Sequence, residues 1–494
     1  MIVMSKEDIA AQRATEWREA LRKEKKNKDR IEIERVRMTE LAPEYRITNN
    51  EEVNCGLTME QAQLEASRCL DCPDPQCMQG CPVSIFIPTF IKNIERGEFL
   101  EAAKTLKMTS ALPAVCGRVC PQEKQCESKC FYKLKLGKEP VAIGYLERFA
   151  ADYERESGKM AMPEVKEKNG IKIAVVGSGP AGLSFAGEMA KLGYSVTVFE
   201  ALHEIGGVLK YGIPEFRLPN SIVDVEINNL RALGVEFIAD CIVGKTISYD
   251  DMHEMGFRGI FVASGAGLPR FMNIPGENLI GVMSSNEYLT RVNLMGAAKD
   301  DCDTPVIKGK RVAVIGGGNT AMDSVRTARR VGAERAMIIY RRGEDEMPAR
   351  REEIHHAKQE GVEFLTLHNP IEYIGNEKGR VTAVRLQKMQ LGEADASGRR
   401  SPEPIPGAIE TIEVDEVIVS VGVSPNPLIP NAISGLEISR KGTIVVNEDS
   451  MRSNINDLYA GGDIVRGGAT VILAMGDGRR AAKAMDEAIL NNSL

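Results

Sequence analysis

Apolar positions along the chain fall into distinct textures. Up to about residue 40 they are sparse among charges and follow helical spacing, which predicts a charge-dense helix serving as an exposed arm or an interface element. The stretch YRITNNEEVNCGLT breaks that pattern. TMEQAQLEASRCL then resumes it and delivers Cys69 at a helix end, and IPTFIKNIERGEFLEAAKTLKM reads as amphipathic helix. After a charged linker, ERESGKMAMPEVKEKNG, the period changes. IKIAVVGSGPAGLSFAGEMAKLGYSVTVFEA is a buried strand, a glycine turn, a helix and a second strand. KRVAVIGGGNTAMDSVRTARRVGAERAMIIYRR repeats that grammar from Lys310. Late strands (DEVIVSVGV, NDLYAGGDIV) and a closing helix complete the pattern. The expectation is an α-helical domain over residues 1–160, followed by two Rossmann-like, doubly wound α/β units. One covers 170–295 and 425–494, and the other, 300–424, is inserted within it.

The first glycine turn reads Gly177-Ser-Gly179-Pro180-Ala181-Gly182. The first glycine allows the tight turn, the second lets a pyrophosphate approach the backbone, and the third lets helix and strand pack closely. The anion would sit on the free N–H groups of the helix start. Glu200 closes the second strand, where an acid accepts from ribose hydroxyls and repels a 2′-phosphate; that suits FAD or NAD. The second turn, Gly316-Gly317-Gly318-Asn319-Thr320-Ala321, ends its second strand on Arg341-Arg342, guanidinium forks that suit a phosphate dianion and hence NADPH. Near the end, Gly462-Asp463 offers an acid at a strand terminus, followed by a helix able to aim its N-terminus at an anionic flavin.

Eight of the 11 cysteines lie between Cys69 and Cys130. A cluster inside a large chain points to metal and away from a disulfide framework. Cys69, Cys72, Cys77 and Cys81-Pro, then Cys116, Cys120-Pro, Cys126 and Cys130, depart from zinc spacing and resemble ferredoxin runs. Eight thiolates match the need of two [4Fe–4S] clusters, and counting alone nominates Cys116 as the eighth ligand. His203, His253, His355, His356 and His368 show no ligand spacing, and His355-His356 reads as part of a solvated helix.

A net charge of −7 without a basic stripe argues against a nucleic-acid binder. No apolar run reaches the length of a membrane span, and the N-terminus turns charged too early for a signal peptide, so a cytoplasmic chain is expected.

In order and spacing, ALPAVCGRVCPQEKQCESKC, PVAIGYLERFAADY, VVGSGPAGL, GGVLKYGIPEFRLP, VIGGGNTAMDSVRTARR, YRRGEDEMPARREE and AGGDIVRGGATVILAMGDGRRAA resemble the small (β) subunit family of NADPH-dependent glutamate synthase, over about residues 50–490. Its relatives include the large subunit of the bifurcating NADH-dependent ferredoxin:NADP oxidoreductase. The resemblance implies an oxidoreductase carrying FAD, NADPH and two [4Fe–4S] clusters. Cys69, Cys72, Cys77 and Cys130 would hold one cluster; Cys81, Cys120, Cys126 and Glu147 would hold the other. It implies that Gly177, Gly179, Gly182, Glu200, Gly207 and Asp463 bind FAD, with Ala469, Thr470 and Val471 presenting a helix start to the flavin. Gly316, Gly318, Asn319, Thr320, Arg341 and Arg342 would bind NADPH. Hydride would pass from NADPH to the flavin and single electrons onward through the clusters, with no protein acid or base required. The start, Met-Ile-Val-Met, carries no cysteine nucleophile and no stretch remains for an FMN barrel. The chain is therefore expected to work in a hetero-oligomer. Its partner would be a glutamate synthase large (FMN, glutaminase) subunit that makes glutamate from glutamine and 2-oxoglutarate, or a small flavoprotein subunit.

Overall fold

The computed structural model describes residues 5–160, 162–299, 301–396 and 398–494; Met1–Met4 lie outside the described residues. The N-terminal charge-dense run forms three short helices, Lys6–Arg13, Glu16–Glu24 and Asn27–Glu32, the first started by a Ser5/Asp8 capping box. They are not a free arm. Arg18 and Arg22 both pair with buried Asp71, and Arg13 Nε donates to the Asp71 carbonyl at 2.7 Å. Fully buried Arg30 pairs with Glu95 at 2.7 Å and donates to the Ser67 carbonyl at 2.5 Å. The arm is a strap over the Cys69–Cys72 loop. A charge-dense sequence conceals this because arginine can be buried when its fork is fully paired.

Helices Met59–Ser67, Ile87–Glu95, Phe99–Lys107, Pro113–Val119 and Ile143–Ser157 follow. Their apolar faces (Phe90, Ile94, Leu106, Leu146) run into the same core as the first nucleotide unit, so the helical domain and that unit share one interior.

The first sheet is built from β1 (Lys172–Val176), β2 (Ser195–Phe199), β3 (Glu236–Ile238) and β4 (Phe257–Val262). The second uses β5 (Val282–Ser284), β6 (Arg311–Ile315), β7 (Arg335–Tyr340) and β8 (Glu363–Thr366). An antiparallel excursion follows: β9 (His368–Gly375), β10 (Val381–Ala394) and β11 (Arg400–Glu413). The chain then returns through β12 (Glu416–Val419) to the second sheet and through β13 (Leu458–Ala460) to the first. The first sheet has the order β13-β4-β1-β2-β3 and the second β5-β12-β6-β7-β8; both are parallel throughout. Because β5 pairs with β12, residues 282–284 sit in the second sheet, ahead of the expected start at residue 300. The excursion was not foreseen. β11 carries Pro402, Pro404 and Pro406, which argue against a strand in sequence but are tolerated here because β11 lies at a sheet edge.

Buried charge joins the parts. Glu360 accepts from Arg326 at 2.8 and 3.0 Å and from Arg330 at 2.8 Å, and pairs with Arg46 of the helical domain at 2.9 Å. Arg326 also pairs with Glu353, and Arg217 of the first nucleotide unit reaches Asp323 at 2.7 Å. Phe216 lies beneath two of these guanidiniums, Arg330 at 3.9 Å and Arg326 at 4.7 Å from its ring centre. His356, on the same helix as Glu353, is buried 3.2 Å from Glu40; the expected solvated position is wrong, because its helix face is covered by residues 40–46. Burial raises the pKa of Glu360, but Arg326 and Arg330 outweigh that and hold it at about 2. Glu360→Ala should therefore cost about 3–5 kcal/mol in denaturant unfolding, since it strands buried arginines. Glu413→Ala, which removes an exposed pair with Arg311, should cost less than about 1 kcal/mol. The Glu360 contribution is complete above about pH 4.5 and fades as pH falls toward 2.

Candidate functional site

In the first turn, Gly177 has φ +101°, and a Cβ there would lie 2.5 Å from the Ala263 carbonyl. A Cβ at Gly182 would strike the Gly177 carbonyl, whereas the space over Gly179 is open. Pro180 starts the helix Pro180–Lys191, its fixed φ suited to that position. Gly207, φ +54°, packs onto Gly179. Glu200 is at the end of β2, but its carboxylate already braces the turn: it accepts from Ser178 N at 2.8 Å, Ser178 Oγ at 2.5 Å and Leu202 N at 2.9 Å. Ribose would share that carboxylate with the backbone.

Gly462, φ +75°, puts Asp463 beside this turn; burial pushes Asp463 up to about 6, with an N–H from Ala469 opposing. Thr470 caps the helix Val471–Leu490 through Leu473 N at 3.4 Å, leaving the helix start at Val471 partly open. A Cβ at Gly478 would meet the Ala181 carbonyl, so this helix and Pro180–Lys191 cross backbone against backbone.

The second turn repeats the device. Gly316 has φ +140° against Ser420, Gly317 lies under the Tyr340 ring, and Gly318 caps the helix Asn319–Val331. Thr320 is exposed, and Asn319 Oδ1 accepts from Arg350 N at 2.8 Å. The two arginines differ. Arg341 is exposed, whereas Arg342 is buried and donates to Asp395 at 2.6 Å, at the tip of the β10–β11 excursion. Arg341 is thus open to a phosphate, while Arg342 already has an anion.

The eight cysteines separate into two groups that the spacing alone does not display. Burial first, then the charges of Cys69 and Cys130, pushes Cys72 up to about 12. Cys77 is driven well up by burial and by Cys69, Cys130 and Cys72. These four are neighbours, and Cys69 and Cys130 also receive N–H groups from Asp71 and from Val141 and Tyr132. In the second group, Cys81 is pushed to about 12 by burial, with Glu147 and Cys120 adding to it, and Cys126 rises in the company of Glu127, Cys81, Glu147 and Cys120.

Cys81, Cys120, Cys126 and Glu147 line one small cavity, with Ile85, Phe90 and Ile472 among its walls. Buried Glu147 Oε1 has no hydrogen-bond partner, and burial with nearby Glu226 moves this carboxyl up to about 8. Cys116 stands beside this group without lining the cavity: its thiol is hydrogen-bonded to Cys120, which with burial and nearby Glu147 and Cys81 drives it well up, and its Sγ lies 3.5 Å from Met475 Sδ. Three soft thiols and a carboxyl with an unpartnered buried oxygen around an apolar-walled space form a donor set suited to a cationic group. The residues fit an iron–sulfur group, and the open space over Gly179 and the side-chain-free backbone at Gly318, with only the Pro348 ring 4.0 Å away, fit a dinucleotide at each turn.

The two kinds of site adjoin. Ile472, at the start of the helix facing the first turn, is a cavity wall, and Gln125 Nε2 donates to Thr470 Oγ1 at 3.4 Å. Arg479 Nη1 donates to the carbonyls of Val83 and Thr109, both at 2.6 Å, pinning that helix to the loop after Cys81. Sequence reasoning missed Asp71, Gln122, Lys124 and Arg479; only the segment around Arg350, EMPARREE, carried a signal.

Residues 46–159 match the family described as dihydropyrimidine dehydrogenase domain II, 4Fe-4S cluster, and residues 171–488 match pyridine nucleotide-disulphide oxidoreductase. Within the latter span the only cysteines are Cys241 and Cys302, both free, so no disulphide accompanies the nucleotide turns. A structure of FprA from Mycobacterium tuberculosis in complex with NADPH shares the fold, with TM-score 0.54 and 22% identity over 66% of this chain and 87% of that one. The glutamate synthase [NADPH] small chain of Escherichia coli is 36% identical over 430 residues, covering 85% of this chain and 90% of its own. That of Halomonas elongata is 36% identical over 431 residues, covering 86% of this chain and 90% of its own. With its own sheets, glycine turns and thiol groups in the matching order, the chain belongs to the glutamate synthase small-chain family.

Proposed function

We propose that this chain is the NADPH-oxidising, FAD- and iron–sulfur-bearing subunit of a glutamate synthase. It would supply electrons to a large subunit that makes L-glutamate from L-glutamine and 2-oxoglutarate. The observation that carries this reading is the contact between the first nucleotide turn's closing helix and the second thiol cavity, through Ile472, Thr470 and Gln125. When bound, the flavin would supply hydride acceptance and the clusters one-electron conduction.

The chain's residues divide the remaining work. Gly177, Gly179, Gly182 and Gly207 open the backbone to FAD, and Asp463 stands at the helix cap. The start of Val471–Leu490 supplies N–H groups and a positive dipole end that stabilise negative charge on a bound flavin. Gly316, Gly318, Asn319 and Thr320 would seat NADPH, with Arg341 at its 2′-phosphate. Cys69, Cys72, Cys77 and Cys130 would hold the outer cluster, and Cys81, Cys120, Cys126 and Glu147 the inner one. Beside Cys130, the helix Phe131–Leu136 exposes Phe131, Leu134 and Leu136 among Lys133 and Lys135, a face suited to a partner. The chain has no helix long and apolar enough to cross a membrane among the described residues.

Three experiments test this reading. The anaerobically loaded chain, mixed with a glutamate synthase large subunit, should form glutamate from glutamine and 2-oxoglutarate at the expense of NADPH. Reduction of a dye without glutamate formation, together with a small flavoprotein companion in native purification, would instead favour a ferredoxin:NADP oxidoreductase. Arg341→Ala should raise the KM for NADPH roughly tenfold or more while leaving that for NADH nearly unchanged; equal increases would remove Arg341 from the 2′-phosphate. Glu147→Ala should abolish or alter one of two cluster EPR signals, and Cys116→Ala should leave both. The reverse pattern would make Cys116 the ligand.

A further inference from the structure

The segment Glu346–Glu353, EMPARREE, is not part of either glycine turn, yet it is tied to the second one. Ala349 N donates to the Gly317 carbonyl at 3.2 Å and Arg350 N to Asn319 Oδ1 at 2.8 Å. The Pro348 ring lies 4.0 Å from where a Gly318 side chain would start. Its other side rests on the loop between Cys120 and Cys126. Lys124 Nζ donates to the Pro348 carbonyl at 2.7 Å, and Arg351 N donates to Glu123 Oε1 at 3.2 Å. Arg350, buried, spans the junction: Nη1 donates to the Arg118 carbonyl at 2.6 Å and Nη2 to Gln122 Oε1 at 3.1 Å.

Gln122 is itself a wall of the cavity formed by Cys81, Cys120, Cys126 and Glu147. Its amide also fills the place of a Cβ at Gly144, in the first turn of the helix that carries Glu147. One short path therefore runs from the second glycine turn through Arg350 and Gln122 to the cavity and to the base of the Glu147 helix. Arg350 also pairs with Glu352 of its own segment at 2.8 Å, but losing the Arg118 and Gln122 acceptors would still leave buried N–H groups unpaired, so Arg350 ties the Pro348–Arg350 segment to the cysteine loop.

Resting on the function proposed above, we infer that Arg350 is a positioning residue that couples occupancy of the second nucleotide turn to the inner cluster's surroundings. Asn319, at the turn where NADP+ would bind, holds this segment through Arg350 N, so a shift of Asn319 on binding would move it. Arg350 transmits this to Gln122 and hence to the hydrogen-bonding shell of one cluster only, since the Cys69, Cys72, Cys77 and Cys130 group touches neither Gln122 nor Arg350 among the described contacts. By linkage the effect is reciprocal: the redox state of the inner cluster changes NADP+ affinity by the same factor.

The test is an EPR-monitored redox titration of the anaerobically loaded chain with and without saturating NADP+. The wild type should show a shift in one cluster's midpoint potential, about 59 mV for each tenfold difference in NADP+ affinity between that cluster's two states. Arg350→Gln should lose the shift, Arg350→Lys should retain part of it, and Lys124→Met should diminish it. Hydrogen exchange gives a second readout: NADP+ should protect the amides of residues 120–126 in the wild type and not in Arg350→Gln. No shift in the wild type, equal shifts in both clusters, or a full shift in Arg350→Gln would overturn the coupling. If Arg350→Gln fails to fold, an undiminished shift in Lys124→Met overturns it instead. NADP+ binding is followed independently by the flavin absorbance. Binding without the shift defeats the coupling alone; absence of binding defeats the functional reading as well.

Discussion

The constraint on which the structure depends is the burial of anionic donors. Seven cysteines and Glu147 converge inside a domain whose walls are Ile, Phe and Val, where an unpaired charge costs several kcal/mol. Thiols forced together in this way rise in pKa, because burial and the neighbouring acidic groups both disfavour the thiolate. The rest of the helical domain follows. Arg18, Arg22 and Arg30 bring positive charge to the Cys69–Cys72 loop, Lys92 Nζ donates to the Cys69 carbonyl at 2.5 Å, and backbone N–H groups point at Cys81 and Cys130.

A second principle organises the joints. Where a two-unit nucleotide enzyme needs only a flexible hinge, this chain has a buried ion network linking Arg46, Arg217, Arg326, Arg330, Glu353 and Glu360 across three units. Such a network is geometrically demanding: every fork must find its carboxylate, which favours one relative placement of the units. The excursion β9–β11 extends the idea to the end of β7. There Asp395 pairs with buried Arg342, while Arg341 beside it stays exposed.

Much of this was legible in sequence where the backbone itself dictates residue type. Gly177, Gly182 and Gly316 are required because a Cβ would strike a carbonyl or force an unfavourable φ, and such requirements are local. The cysteine groups were only half legible. Spacing marks eight cysteines as a metal-type cluster, but it does not bring Cys130 to Cys72, nor does it bury Glu147 beside Cys81; helix packing does both. Least legible were features whose local pattern contradicts their environment. A charge-dense arm reads as solvated until buried Asp71, with φ +52°, appears beneath it. His356 reads as surface until Glu40 covers it, and a proline-bearing edge strand reads as loop.

The seating of the helix Val471–Leu490 on the loop after Cys81 has a consequence for how the protein is made. Ile472 closes the inner cavity, and Arg479 clasps Val83 and Thr109, yet these residues are synthesised long after Cys126. Since the chain emerges from the ribosome N-terminus first, the Cys81, Cys120 and Cys126 group lacks a wall until the first sheet regains β13 and its closing helix. The last wall of this chamber is thus set only once the polypeptide has doubled back on its own beginning.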